Sequence, residues 1–321
     1  MLTRLLLVAA TLALVIPPPA VVEYEIPRAR NFPHDPAVGD DGIVWYTDYS
    51  NSYIGRFDPS TGHFTDVATP TPNSLPHGIE VAADGMVWYT GQRAGVLGRL
   101  DPSTMRITEF PLPSEAPNPH TPHVLNGRIW FTEANNNRYG VLDPATGRVQ
   151  TWEAAVPRSV PYGLTHGPDG FLYIAHFGAN VIGRVNPADG AEQLFTLPSA
   201  GARPRRLQVG ADGTVYYTDY ARGFLGALDP VTGQVREWPC TSPDAQPYGI
   251  IIDNDGGVWF NESHNSRMIR FDPRTERMEQ VPIPTTGSTV RNIAIDRTRG
   301  RIWLAESGVG RLGKIELAAG R

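Results

Sequence analysis

The sequence predicts an all-β fold: a seven-bladed β-propeller with four antiparallel strands per blade, closed into a ring by its N-terminal strand. Three ladders of one period carry the prediction. The turn Asp-Pro-x-Thr starts at Asp58, Asp101, Asp143, Asp229 and Asp272, with Asn186 on the remaining rung, in steps of 43, 42, 43, 43 and 43 residues. An aromatic strand recurs seven times, from Val44-Trp45-Tyr46-Thr47 to Ile302-Trp303-Leu304-Ala305. A third ladder follows the Pro-rich connectors, where the second residue of each segment is His34, His77, His120, Tyr162, Arg205, Tyr248 or Arg291.

Each repeat reads as four short strands: the segment after Pro-His or Pro-Tyr, the aromatic strand, an Ile-Gly-Arg-Phe type strand and a Glu-Phe-Pro-Leu-Pro type strand. Asp84-Gly85, Asp169-Gly170 and Asp212-Gly213 close the first hairpin, because glycine accepts the positive φ that such a turn demands. Asp-Pro opens a type I turn that closes another hairpin. The last repeat stops at Lys314-Ile315-Glu316-Leu317 without a fourth strand, and Glu23-Tyr24-Glu25-Ile26-Pro27 resembles the missing piece. Pairing the two ends leaves no long unpaired sheet edge.

Composition agrees. Among 321 residues, 33 Gly and 30 Pro favour many tight turns over long helices, and 40% apolar residues can build a large core. A formal charge of −5 without a run of Lys or Arg excludes a nucleic-acid surface of the usual kind. Cys240 is the single cysteine, so no intramolecular disulfide forms, and it reads as a small buried side chain.

Residues 1–20 stand apart: Arg4, an apolar stretch from Leu5 to Ile16, then Pro17 to Ala20. This is the pattern of a secretory signal peptide, too short to span a bilayer, so the expectation is a secreted or periplasmic protein with no stable membrane insertion after cleavage. Seven repeats then account for residues 21–321 as one domain, expected to be a monomer.

In a propeller the innermost strand lines the channel, and its start opens on the same face as the end of the second strand. Two rings of variable residues are therefore expected at one mouth. The inner ring is His34, His77, His120, Tyr162, Arg205, Tyr248 and Arg291; the strand-end ring is Asp48, Gly91, Glu133, His176, Asp219, Glu262 and Glu306. Five carboxylates around one opening would repel by about 3 kcal/mol per pair at roughly 6 Å with an effective dielectric near 20. Same-blade pairs (Arg205 with Asp219, Arg291 with Glu306, His34 with Asp48, His120 with Glu133) would compensate them. So would a divalent cation, Mg²⁺ or Ca²⁺, on oxygen ligands such as Glu262 and Glu306. Clustered histidines serve as bases, as metal ligands or as fixed structural groups. Tyr49, Phe177 and Tyr220 follow the strand-end ring and offer an apolar ligand a surface.

The repeat Pro-His-Gly-Ile…Asp-Gly-x-Val-Trp-Tyr-Thr…Gly-Arg-Leu-Asp-Pro, followed by Glu-Phe-Pro-Leu-Pro, resembles the virginiamycin B lyase (streptogramin lyase) family of seven-bladed propellers over the whole mature chain. The resemblance implies a Mg²⁺-assisted elimination that opens a cyclic depsipeptide at its ester bond, with a histidine base and a last-blade glutamate holding the metal. Glu306 matches that glutamate. The family's base position is Arg291 here, and the histidine one blade earlier is Tyr248. Arginine stays protonated and is a poor base. The catalytic set expected is therefore His34 as substitute base with Arg291 and Tyr248, the metal set Glu306 and Glu262, and the substrate-binding set His77, His120, Tyr162, His176, Arg205, Asp48, Glu133 and Asp219. A cyclic ester or other small molecule at the mouth is the expected partner. A lactone hydrolase, or a propeller that binds without catalysis, stays open beside the lyase.

Overall fold

The computed structural model describes residues 19–113 and 116–317, and nearly all of the expected signal peptide lies outside them. The described chain forms seven separate four-stranded antiparallel sheets and no helix. Blade I is typical: inner strand Pro33–Val38, aromatic strand Val44–Asp48, third strand Tyr53–Asp58 and outer strand His63–Ala68. In the seventh blade Val21–Glu25 supplies the outer strand, antiparallel to Arg311–Glu316 with Glu23 opposite Gly313. The inner strands pack side by side around one axis, the first against the last, so the ring is closed.

The core lies between blades. Trp45, Ile54 and Ala37 of blade I pack on Ile79, Val87, Tyr89 and Leu100 of blade II, and six further clusters repeat this interlock around the ring. In blades I, II and V the Tyr of the aromatic strand lies over the Gly of the third strand. A Cβ on Gly98 would fall 2.0 Å from the Tyr89 ring, so only glycine seats it there. Tyr89 then donates its hydroxyl to Glu109 on the outer strand at 2.9 Å.

Every inner strand carries a bulge at its start. In blade I the register slips between Pro33 and Pro36, and the other six inner strands slip at the same point. The extra residue turns two consecutive side chains toward the axis and takes the following N–H out of the ladder. The threonine that ends the aromatic pattern receives that N–H: Asp35 on Thr47 Oγ1 at 3.1 Å, Gly78 on Thr90 at 2.9 Å, Thr121 on Thr132 at 3.2 Å and Arg206 on Thr218 at 3.3 Å. The same hydroxyls donate to carbonyls of the next blade, at His77, His120, Tyr162 and Tyr248, over 2.7–2.8 Å. Asn261 does both jobs in blade VI through Oδ1 and Nδ2, while Ala175 and Ala305 stand at this position in blades IV and VII.

Thr90→Val keeps the shape but leaves the Gly78 N–H and the His120 carbonyl buried without a partner. Urea unfolding should show a loss of about 2 kcal/mol or more at unchanged m; a loss below about 0.5 kcal/mol would remove the hydroxyl's linking role.

Candidate functional site

The bulges gather the inner ring. His34 and His77 lie with ring centroids 3.9 Å apart, His77 and His120 also 3.9 Å apart, and His120 and Tyr162 3.7 Å apart, an unbroken aromatic arc over four blades. Tyr162 and Tyr248 share a hydroxyl–hydroxyl hydrogen bond across the channel. Arg205 donates to the Tyr162 hydroxyl at 2.9 Å, and its guanidinium lies 3.8–4.9 Å from the ring centroids of Tyr248, Tyr220, Phe177 and Tyr162. The guanidinium of Arg291 stands 5.8 Å from the Phe32 ring and 5.9 Å from that of Tyr248.

The histidines and tyrosines of the ring are buried, whereas Arg205, Arg291, Phe32, Tyr49, Phe177 and Tyr220 are partly exposed and form the accessible floor of the mouth. Tyr49 leans on His34 and His77, and Tyr220 on Tyr248, so the expected rim aromatics do surround the ring. Their hydroxyls donate to Gln92 and Gln246, each at 3.1 Å.

A second layer sits one residue further along each bulge and was not read from the sequence. Asp35 accepts from Arg206 at 2.9 Å and from Asn292 at 2.9 Å, and its other oxygen is 2.8 Å from His34 Nδ1. Arg206 also donates to Thr121 at 3.2 Å, which lies 3.0 Å from His120 Nδ1. Four blades thus meet in one polar cluster. The signal was available: this position is Gly78, Gly163 and Gly249 in three blades, but Asp35, Thr121, Arg206 and Asn292 in the others.

Burial lowers the basicity of His34 against the opposing pull of Asp35, and burial among one another and beside Arg206 takes His77 and His120 well below the ordinary histidine value. All three are neutral imidazoles near neutral pH. Burial disfavours a charged Asp35, but Arg206 and the bond from His34 prevail and keep it ionised. The His77 Nδ1 and the Nε groups of Arg205, Arg206 and Arg291 are buried and unpartnered.

The strand-end ring turns elsewhere. A strand alternates its side chains between its two faces, so Asp48 shares a face with Tyr46 and points between blades instead of toward the axis. These residues fasten the connector entering their own blade: Asp48 accepts from Phe32 N–H at 3.0 Å, Glu133 from Asn118 at 3.2 Å, Asp219 from Arg203 at 3.0 Å and Glu262 from Thr241 at 2.7 Å. His176 bonds Ser159 and Glu192, each at 2.8 Å. The same-blade pairs expected from the sequence do not form. Asp219 pairs with Arg222, Asp48 with Asn51 and His34 with Asp35, while Arg205 and Arg291 have no carboxylate partner among the described residues. Both guanidiniums stand over Tyr248, within about 10 Å of one another, where like charges repel by about 1.7 kcal/mol at an effective dielectric near 20.

Glu262 and Glu306 share no partner. Glu262 is held by Thr241, Asn265 and Arg267, whereas Glu306 lies over Gly313 beside Glu23 and Arg311. Burial, then the neighbouring Glu23, pushes the Glu306 carboxyl up to about 8. Ionised, its oxygens meet no donor; protonated, it can donate to Glu23, which Thr285 and Arg311 keep ionised against its burial. His34, Asp35 and His77 do bring three donor atoms within 4.8 Å of one another, but Arg206 and Asn292 occupy the carboxylate and the guanidinium opposes a cation. A cavity of about 540 Å³ lined by Asp41, Trp45, Asp84 and Pro102 lies on the opposite face, between blades I and II. Cys240 is only partly buried, less than its sequence suggests, against Leu225 and Phe260.

Comparison with known proteins follows the same lines. The sequence matches the Virginiamycin B lyase family over residues 10–144 and 123–320. A structure described as streptogramin B lyase is 26% identical, with a TM-score of 0.86 over 93% of this chain and 98% of its own. Virginiamycin B lyase from Staphylococcus aureus is 26% identical, with a TM-score of 0.87 over 94% of this chain and all of its own. A catalytically inactive histidine-to-alanine variant of that enzyme, solved with quinupristin, gives 25% identity and a TM-score of 0.87 over 94% of this chain and 100% of its own. No curated protein matches the sequence.

The Glu306 carboxyl retains a proton in the folded chain that the unfolded chain releases above its ordinary value near 4.5. Stability from this group is therefore complete below that value and is lost as pH rises toward 8. Glu306→Gln should abolish this loss: in melts at pH 5.5 and 8.5 the variant gains on the parent as pH rises, at up to about 1.4 kcal/mol per pH unit. Parallel curves would show that Glu306 is ionised throughout.

Proposed function

Because the chain belongs to the Virginiamycin B lyase family, we propose that it is an exported carbon–oxygen lyase that opens a cyclic ester at the channel mouth, with His34 as base. One observation carries the reading: in a family where an inactive variant lacks a single histidine, the channel here offers a buried neutral histidine already oriented by a carboxylate, His34 Nδ1 to Asp35 Oδ1 at 2.8 Å. Arg206 and Asn292 hold that carboxylate, which places the imidazole proton on Nδ1 and leaves the Nε2 lone pair free.

In the elimination, His34 takes the proton from the carbon α to a carbonyl. The released pair forms a carbon–carbon double bond, the β carbon–oxygen bond breaks, and the ester group leaves as a carboxylate. Asp35 stabilises the imidazolium that results, and Arg291 stabilises the charge that develops on oxygen. Glu262 and Glu306 do not fit a shared Mg²⁺ ion, since each is committed to different neighbours, and the proton transfer rests on His34 and its carboxylate.

Incubation with a panel of cyclic depsipeptides and lactones, followed by mass spectrometry, tests the proposal. The expected product has unchanged mass and a new double bond. His34→Ala should lower the rate by 10² to 10⁴-fold, and Asp35→Asn should slow it as well. The rate should rise with pH to a plateau, with a midpoint below the ordinary histidine value of about 6.5. Products one water heavier would replace the lyase by a hydrolase, and binding without turnover, or a rate untouched by His34→Ala, would remove the base.

A further inference from the structure

The accessible floor of the mouth is built from two kinds of side chain: the arginines Arg205 and Arg291 and the aromatics Phe32, Tyr49, Phe177 and Tyr220. Its charge is one-sided. Of three guanidiniums around the Tyr248 ring, Arg206 is neutralised by Asp35, and the other two have no ion pair among the described residues. The carboxylates nearest in sequence to the rim are turned onto backbone N–H groups of the connectors. The facing histidines are neutral and add no positive charge of their own.

We propose that the ligand of this mouth is an organic carboxylate with an apolar ring body, its anionic group seated between Arg205 and Arg291 above Tyr248. This rests on the mouth being a small-molecule site, and it names the substrate class within that reading.

Two features beyond charge support it. Arg205 is fixed before any ligand arrives, boxed by four rings and tied to the Tyr162 hydroxyl, so little side-chain freedom remains to be lost on binding. The flanking rings give the body of the ligand a flat apolar wall, and the Tyr49–Gln92 and Tyr220–Gln246 bonds hold that wall in place. An uncharged cyclic ester would leave Arg205 unanswered and would meet Arg291 only as charge develops.

Calorimetric titration of the full chain with benzoate, benzamide and inorganic phosphate tests the class without calling on catalysis, because none of the three has an ester to eliminate. Benzoate should bind at least tenfold more tightly than benzamide and than phosphate, and the preference should shrink as NaCl is raised from 50 to 500 mM. Arg205→Gln and Arg291→Gln should each cost tenfold or more, and Arg291→Lys should retain most of the affinity. Should a glutamine variant fail to fold, the salt series on the native chain decides alone. Equal binding of benzoate and benzamide, no binding of any probe, or phosphate as tight as benzoate would overturn the proposal. Carboxylate binding without turnover of any ester would leave this inference standing and remove the lyase.

Discussion

The arrangement of the mouth depends on one hydroxyl used twice. A bulge at the start of an inner strand turns side chains to the axis, but it strands a backbone N–H in a buried place, and such a group costs about 1–3 kcal/mol if left unpaired. The threonine at the end of the neighbouring strand accepts that N–H and hands its own proton to the carbonyl of the next blade's ring residue. The bulge and the spacing between blades are thereby set by the same atom. His77, His120, Tyr162 and Tyr248 owe their positions to this link, and the stacked arc of the channel follows from it.

The repeat was legible because the framework positions answer local demands that recur around the ring. A glycine at positive φ closes the first hairpin in every blade, Trp fills the space between sheets in five, and glycine lies under a tyrosine in three. The closing strand was legible for the same reason, since Val21–Glu25 completes a pattern the last repeat leaves short. Convergence of the inner ring followed from the blade count alone.

The strand-end ring was misplaced because a period of repetition does not state which way a side chain points. Asp48, Asp219 and Glu262 share the face that packs between blades, and there they serve as acceptors for connector N–H groups. The pairing of Asp35 with Arg206 was not legible, for the opposite reason, although the variation at their position was. Its members are 171 residues apart, and only a bulge, which is a departure from the alternation, brings both to the axis. With the acids beneath the rim and Asp35 spent on Arg206, the mouth of a chain whose formal charge is −5 is locally positive.

The shared seventh sheet also fixes an order of events. Val21–Glu25 is synthesised before any other strand of the fold, yet its partner Arg311–Glu316 is synthesised last. Until that last strand is in place the first has no partner in its sheet and is an open edge able to recruit a stray chain. Glu23 and Glu25 place negative charge along it, and charge on a waiting edge discourages premature association. The carboxylate that later fastens the circle, Glu23 on Thr285 and Arg311, thus doubles as a guard during the interval before its partners exist.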